Sequence, residues 1–187
     1  MLTTLVAAIV MGPSGMMCPV MGEHEAKSTG AMADYAGIRF GFCCASCPPL
    51  FEKEPGKYLK AAEKSAKPMG LFLFDPISMR RIEAKNAKAF STYKGIQYGF
   101  ENETSKRLFD KEPAKFTKMP AQEVLMCPVS GETISVDKAF AFADYKDMRV
   151  YFCCADCIKP WSDNPGQFAE KVRDKATKPK VAKVVVK

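Results

Sequence analysis

Histidine is almost absent from this sequence: His24 is the one histidine among 187 residues. Enzymes that move protons near neutral pH rely most often on histidine, so catalysis of that kind is not expected. The sequence also lacks a Ser-His-Asp set, a glycine-rich phosphate loop and a pair of carboxylates at a supporting spacing. These absences exclude the commonest enzyme designs and predict a protein without catalytic activity.

Long hydrophobic runs are missing too. The apolar stretch near the N-terminus, Leu5 to Met11, is too short to cross a bilayer, so no integral membrane span is predicted. Residues 1–15 still resemble the apolar part of a secretory signal segment, although no basic residues precede it. A first strand or a disordered leader is the other interpretation. The first interpretation implies export to the periplasm or the exterior, and the second implies a cytoplasmic location.

The body of the chain has almost no net positive charge, although the net charge of the whole chain is +7. Seven lysines and arginines stand against one acid between Lys171 and Lys187, so most of the excess belongs to the C-terminal end. A nucleic-acid partner requires a basic face on the folded body, and none is predicted. The basic tail, residues 173–187, is expected to be solvated and frayed.

Cysteine, by contrast, is plentiful, and the eight cysteines fall into two sets of four. The first set is Cys18, Cys43, Cys44 and Cys47, and the second is Cys127, Cys153, Cys154 and Cys157. A chain with this many thiols uses them for metal binding, for disulfides or for redox chemistry.

Three stretches of the sequence repeat one pattern. The first runs from "CPVMG" through "DYAGIRFGFCCASC" to "LFEKEPGKYL", and the third from "CPVSG" through "DYKDMRVYFCCADC" to "PWSDNPGQF". The second, from "DPISM" through "TYKGIQYGFENETS" to "LFDKEPAKF", keeps the pattern without cysteine. Asp75 stands in the place of Cys18, and the other three positions hold Glu101, Asn102 and Ser105. The repeats predict modules at residues 16–62, 70–119 and 124–172.

Each module is predicted to contain a turn, a β-hairpin and short helices, which gives an α+β fold of three tandem units. The opening x-Pro motif favours a tight turn, and alternating apolar residues such as Ile38 and Phe40 predict a half-buried strand. In the helix that follows, bulky pairs such as Leu50-Phe51 are expected on the inner face. The prolines expected to end these helices are Pro55, Pro113 and Pro165. A unit of roughly 45 residues is too small for a robust core, so it requires a staple or neighbours.

The cysteine spacing predicts one shared centre in the first module and one in the third. One thiol lies on the opening turn, one at the strand end and one in the first helical turn. The thiols expected to converge are Cys18, Cys43 and Cys47, and likewise Cys127, Cys153 and Cys157. Three converging thiolates form a soft-metal site, and zinc or Cu(I) is expected, two ions per chain. Cys44 and Cys154 either complete a four-cysteine zinc set or point into the core, because adjacent residues of a strand face opposite ways.

The modules resemble the YHS and TRASH family of small metal-binding modules, which are similar to treble-clef zinc fingers. The resemblance rests on "CPV-x-G", on "YAGIRFGFCCASC" and on Phe51, Pro55 and Tyr58, with the matching residues of the third module. It covers residues 18–59, 75–116 and 127–168, and it implies that the family's three-cysteine pattern falls on the two convergent sets. Cys44 and Cys154 take a position that is commonly serine. The resemblance also implies heavy-metal sensing, trafficking or resistance without catalysis, with a metal-handling protein as partner.

The residues around Cys18 leave the choice of metal open. Thioethers favour Cu(I), and Met16, Met17 and Met21 lie close to Cys18 in sequence, together with His24. Ordinary core packing is the other explanation for the methionines, and His24 on its own is more typical of a surface residue than of a ligand.

Two further functions stay open. The C-x-x-C spacing at a helix start, as in Cys44 to Cys47 and Cys154 to Cys157, is typical of thiol–disulfide redox proteins, although no thioredoxin-like pattern surrounds it. An exported chain could use its eight cysteines as disulfide staples within an interaction module. The cysteine-free second module is then the candidate contact surface, through Tyr93, Tyr98 and Phe100, unless alternation places these residues in the core.

Overall fold

The computed structural model describes residues 15–27 and 30–184. The predicted leader therefore lies outside the described residues, apart from Gly15. Within these ranges, no helix combines the length and the apolar character needed to cross a bilayer.

Each module contains the hairpin and the short helices that the repeats predict, and the second and third modules add a strand before the hairpin that was not predicted. The first module contains strands β1 (Met32–Tyr35) and β2 (Ile38–Gly41) and helices α1 (Cys47–Lys53) and α2 (Pro55–Ala62). The second contains β3 (Gly70–Phe72), β4 (Ala89–Tyr93), β5 (Ile96–Phe100), α3 (Glu103–Lys111) and α4 (Pro113–Phe116). The third contains β6 (Gln122–Val124), β7 (Ala141–Tyr145), β8 (Met148–Phe152), α5 (Ile158–Asp163) and α6 (Pro165–Val172). The predicted α+β class is confirmed.

A tight hairpin forms the centre of each module. β1 pairs with β2, β4 with β5 and β7 with β8, all antiparallel. The connecting turns place Ala36, Lys94 and Lys146 at positive φ, which suits two-residue hairpin turns. The apolar positions read from the sequence are buried in the first hairpin, at Ile38, Phe40 and Phe42. The prediction of a half-buried strand is wrong, because all four residues of β2 are buried and β3 covers its edge.

The helices end where the prolines predict. α1, α3 and α5 each stop just before a proline, and that proline opens the next helix. The Asn164 side chain caps α6 by accepting a hydrogen bond from the Gln167 backbone amide, as its position before Pro165 favours. Both residues of each bulky pair were expected on the inner face of the helix, and this prediction is wrong for one of the two. Phe51 and Phe109 are buried, but Leu50 and Leu108 are exposed. Neighbouring positions on a helix point in different directions, so only one residue of each pair reaches the hairpin.

The strands form two sheets, and the larger one contains strands of both the first and the second module. A six-stranded sheet has the order β4-β5-β3-β2-β1-β9, where β9 comprises Ala182–Val184, and the third module has its own sheet, β6-β8-β7. β3 runs parallel to β5 and antiparallel to β2, so it joins the first two hairpins. β6 is parallel to β8 in the same way that β3 is parallel to β5. The strand before the opening turn of the second module thus covers the edge of the first hairpin.

Neighbouring modules supply the core that one module is too small to build. Phe72 of the second module lies edge-on to Phe142 of the third, with ring centroids 5.4 Å apart. Tyr98 and Phe100 are buried and pack on Phe109, at 4.9 and 5.2 Å between centroids. These two aromatic residues belong to the core and are not the surface that an interaction module would use.

A buried arginine joins the third module to the first. Arg149 of β8 donates from Nε and Nη2 to the two carboxylate oxygens of Asp144, at 2.7 and 2.8 Å. Its Nη1 donates to the backbone carbonyl of Ala36, at 2.9 Å, and the guanidinium lies 4.6 Å from the centroid of the Phe142 ring. A buried cation requires such full pairing. The contact fixes the third hairpin against the turn of the first.

The C-terminal tail corrects the sequence prediction. It was expected to be frayed, but β9 pairs antiparallel with β1 and closes that edge of the large sheet. Thr177 exchanges two backbone hydrogen bonds with Glu123, at 2.7 and 3.0 Å. An open strand edge carries unpaired amides and carbonyls, and the tail satisfies those of β1. Local composition cannot reveal this pairing, because the partner strand lies far away in sequence.

Candidate metal centres

One cysteine of each centre lies on a tight turn, here called the knuckle. The backbone amide of Gly22 donates to the carbonyl of Cys18, and that of Gly131 donates to the carbonyl of Cys127, both at 2.8 Å. The two glycines have φ of +69° and +76°, a conformation that residues with a Cβ rarely adopt. The motif "CPV-x-G" therefore has a local cause, since proline starts the turn and glycine closes it.

The other two cysteines of each centre lie where a strand gives way to a helix. Cys43 and Cys153 follow the ends of β2 and β8. Cys47 is the first residue of α1, and Cys157 ends a short 3-10 helix (Ala155–Cys157) that leads into α5. The hairpin brings the strand end back beside the knuckle, so residues more than twenty positions apart meet.

The three sulfurs of each set converge as predicted. The first triad consists of Cys18, Cys43 and Cys47, the second triad consists of Cys127, Cys153 and Cys157, and within each the Sγ atoms all lie within 4.8 Å of one another. The Sγ atoms of Cys43 and Cys47 are 3.8 Å apart, and those of Cys153 and Cys157 are 3.7 Å apart. Zinc–sulfur bonds of about 2.3 Å in a tetrahedral site separate the sulfurs by about 3.8 Å. The spacing therefore fits a thiolate-bound ion of this size.

Burial changes the acidity of the triad thiols. It raises the pKa of Cys47 and of Cys157, so both thiols carry a proton at neutral pH when no metal is bound. Burial also acts on Cys127, but the Ser130 hydroxyl and nearby backbone amides donate to its sulfur and lower its pKa to about 7. A metal ion must displace the remaining protons, so binding weakens as the pH falls.

Cys44 and Cys154 lie outside the triads. Neither belongs to the group of sulfurs that all lie within 4.8 Å of one another. Cys44 is exposed and its Sγ lies 3.3 Å from that of Cys47, while the Sγ of Cys154 lies 3.4 Å from that of Cys157. Cys154 has extended backbone, with φ −153° and ψ 172°, yet its Sγ also lies 3.8 Å from that of Cys153. Of the eight predicted ligands, six converge and two stand beside them.

Hydrogen bonds activate the two outer thiols. The Ser46 hydroxyl, 3.1 Å from the Sγ of Cys44, and the Cys47 thiol lower the pKa of Cys44 to about 6. The Cys157 thiol likewise lowers the pKa of Cys154. Both outer sulfurs therefore gain thiolate character beside a buried thiol.

The methionines and the histidine near Cys18 have different environments. Met16 and Met17 are buried and pack in the core, while Met21 is 48 % exposed. His24 is exposed, and its ring does not join the first triad among the described residues. Core packing therefore explains two of the three methionines.

Asp75 joins two separate segments of the second module through hydrogen bonds of its side chain. Its carboxylate is fully buried where Cys18 stands in the first module. Oδ1 accepts hydrogen bonds from the backbone amides of Ile77 and Ser78, at 2.8 and 3.2 Å. Oδ2 accepts one from the backbone amide of Glu101, at 2.9 Å, and Glu101 holds the place of Cys43. The carboxylate thus joins the opening turn to the strand end. The only sign of this role in the sequence is that Asp75 occupies the position that Cys18 holds in the first module.

Ser130 is a second residue whose role the sequence did not reveal. Its hydroxyl lies 3.4 Å from the Sγ of Cys153, so it contacts the second triad from the knuckle. Met21 holds the same place in the first module. The two centres share their ligands but differ in this neighbour.

All eight cysteines lie in the part of the chain that the structure describes, and none of them forms a disulfide. Comparisons of the chain with protein-family models, with curated proteins and with solved structures gave no match. The resemblance to YHS and TRASH modules therefore stays a prediction. The fold and the sites define an α+β protein with two three-thiol clusters that could each hold a metal ion.

Proposed function

We propose that this chain is a non-enzymatic metal-binding protein that holds two soft transition-metal ions, one in each triad, for trafficking, sensing or storage. The observation that carries the proposal is the convergence of three sulfurs in two separate places, from the same three positions of the repeat. The second module supports the same conclusion. It has no thiols, and the Asp75 carboxylate joins its opening turn to its strand end through hydrogen bonds. In the first and third modules, a metal ion would make the equivalent link.

Zinc and Cu(I) both accept thiolate ligands, and the geometry favours Cu(I). Structural zinc sites are almost always four-coordinate and closed. Each triad offers three ligand atoms, and no fourth histidine, cysteine or carboxylate atom of the described residues lies within 4.8 Å of all three. A three-thiolate site with an open position suits an ion that is passed on, so a metal-handling protein that contributes a ligand of its own is the expected partner.

Single serine variants test the assignment of the ligands. We expect the unmodified chain to retain two ions after loading with Cu(I) under reducing conditions, and Cys18→Ser or Cys127→Ser to retain one. The variant with both substitutions is expected to retain none, because a hydroxyl is a poor ligand for a soft ion. Elemental analysis after gel filtration measures the stoichiometry.

Cys44→Ser and Cys154→Ser are the matched controls. They carry the same chemical change at the residues that directly follow Cys43 and Cys153, and both are expected to retain two ions. Full retention in the Cys18→Ser variant would overturn the triad assignment. Loss of an ion from the Cys44→Ser variant would make Cys44 a required fourth ligand and contradict the three-thiolate site.

A further inference from the structure

We propose that Cys44–Cys47 and Cys154–Cys157 are disulfide-forming pairs, which a small-molecule disulfide such as oxidised glutathione closes so that each metal centre loses its helix-start ligand. The loss of a metal ligand rests on the proposed function, whereas the formation of the disulfides does not depend on metal. The two pairs lie at equivalent positions of the first and third modules.

The distances single out these pairs. The Sγ atoms are 3.3 Å apart for Cys44 and Cys47, and 3.4 Å apart for Cys154 and Cys157. Within the triads the corresponding distances are longer, 3.8 Å for Cys43 to Cys47 and 3.7 Å for Cys153 to Cys157. The outer thiol therefore approaches the helix-start thiol more closely than the strand-end ligand does.

The backbone also suits a bridge. The amide of Cys47 donates to the carbonyl of Cys44 at 3.3 Å, which closes a four-residue turn. The Cα atoms at the ends of such a turn lie within about 7 Å, and a disulfide spans roughly 4.4–6.8 Å between Cα atoms. Cys154 directly precedes the 3-10 helix that Cys157 ends, so the second pair has the same i to i+3 relation.

Accessibility decides which sulfur reacts first in the first centre. Cys44 is exposed, whereas Cys18, Cys43 and Cys47 are buried. A small disulfide in solution therefore meets Cys44 before it meets any member of the first triad. In the second centre Cys154 and the triad member Cys153 are both half-buried, while Cys127 and Cys157 are buried. There the short Sγ distance to Cys157, and not exposure, distinguishes Cys154.

The chemistry is thiol–disulfide exchange in two steps. The Cys44 thiolate attacks one sulfur of the small disulfide, whose S–S bond breaks, and one small thiol leaves while a mixed disulfide forms on Cys44. Cys47 then attacks the Cys44 sulfur and expels the second small thiol. Two cysteine thiols are oxidised, one small disulfide is reduced to two thiols, and the two cysteine protons end on the leaving thiols.

Closure of the pair removes Cys47 from the first triad, because a disulfide sulfur no longer supplies a thiolate. Cys18 and Cys43 remain as two ligands, which hold a soft ion more weakly. The second module contains no cysteine, so its Asp75-centred link is unaffected by the same oxidant. Oxidation thus removes one ligand from each metal centre and leaves the second module unchanged.

The test exposes the full chain, with and without loaded Cu(I), to oxidised glutathione. Peptide mapping after alkylation identifies the bridges, and a chromophoric chelator reports the released ion. We expect bridges at Cys44–Cys47 and Cys154–Cys157 in the metal-free chain, and release of both ions from the loaded chain. A reducing thiol is expected to restore binding of both ions.

The variant carrying both Cys44→Ser and Cys154→Ser is the decisive comparison. It retains both triads, and its release of metal in oxidised glutathione is expected to be slower by about tenfold or more. Equal release rates, bridges at Cys43–Cys47, or glutathione that stays on Cys44 would each overturn the proposal. Failure to bind metal would refute the proposed function alone, since mapping of the metal-free chain still decides whether the pairs form.

Discussion

Removal of the bound metal is expected to loosen the first and third modules together and to leave the second module unchanged. Each ion joins three separate segments: the knuckle, the strand end and the helix start. A ligand present at a thousand times its dissociation constant stabilises the protein that binds it by about 4 kcal/mol. Loss of that energy is expected to speed local amide exchange around both triads by up to about a thousandfold.

Hydrogen exchange with and without a strong chelator measures this effect, residue by residue. The amides that should lose protection are those of the knuckles and of the first turns of α1 and α5. The knuckle at Asp75 and the start of α3 are the internal control, since hydrogen bonds hold them without metal. Equal loss of protection in all three modules, or no change in any, would contradict a local structural effect of the ions.

Asp75→Asn is expected to destabilise the chain by about 3 kcal/mol, because the carboxylate is fully buried and each of its oxygens accepts from backbone amides. The asparagine side chain has nearly the same shape, but its amide nitrogen replaces one acceptor by a donor. The new amide nitrogen then faces either the backbone amide of Glu101 or those of Ile77 and Ser78, and these backbone donors lose their acceptor. Urea unfolding, with the unfolding slope compared to show that the transition itself is unchanged, measures the loss.

Glu101→Gln is the matched control for that substitution. It makes the same carboxylate-to-amide change at the neighbouring strand end, but the Glu101 side chain only pairs with the exposed Arg80, at 2.9 Å, and its backbone amide still donates to Asp75. A surface ion pair contributes about 1 kcal/mol or less. A cost for Asp75→Asn no greater than that for Glu101→Gln would show that Asp75 does not replace the metal link.

The sequence predicts the hairpins and the triads because their causes are local. Apolar periodicity indicates the strands, the proline and glycine of "CPV-x-G" form the knuckle, and Cys47 follows Cys43 by four residues at the start of α1. The direction of the Cys44 side chain could not be predicted, because it depends on the backbone conformation between the end of β2 at Gly41 and the start of α1 at Cys47. Which of Leu50 and Phe51 is buried likewise depends on the orientation of α1 against the hairpin.

Long-range pairing accounts for the rest of what the sequence could not reveal. β3 joins two hairpins and β9 covers β1, although nothing near these segments in sequence identifies the partner strands. The role of Asp75 required the contacts of Glu101, which lies 26 residues further along the chain. Repeat comparison found the equivalent positions, and only the three-dimensional structure showed that the Asp75 carboxylate accepts hydrogen bonds from the opening turn and from the strand end.

Native mass spectrometry of the chain purified under reducing conditions tests the central claim most directly. The mass should exceed that of the polypeptide by two metal ions, with all eight cysteines reduced, and the variant with both Cys18→Ser and Cys127→Ser should show the mass of the polypeptide alone. A chain that carries no metal after loading with either Cu(I) or zinc under these conditions would contradict the account.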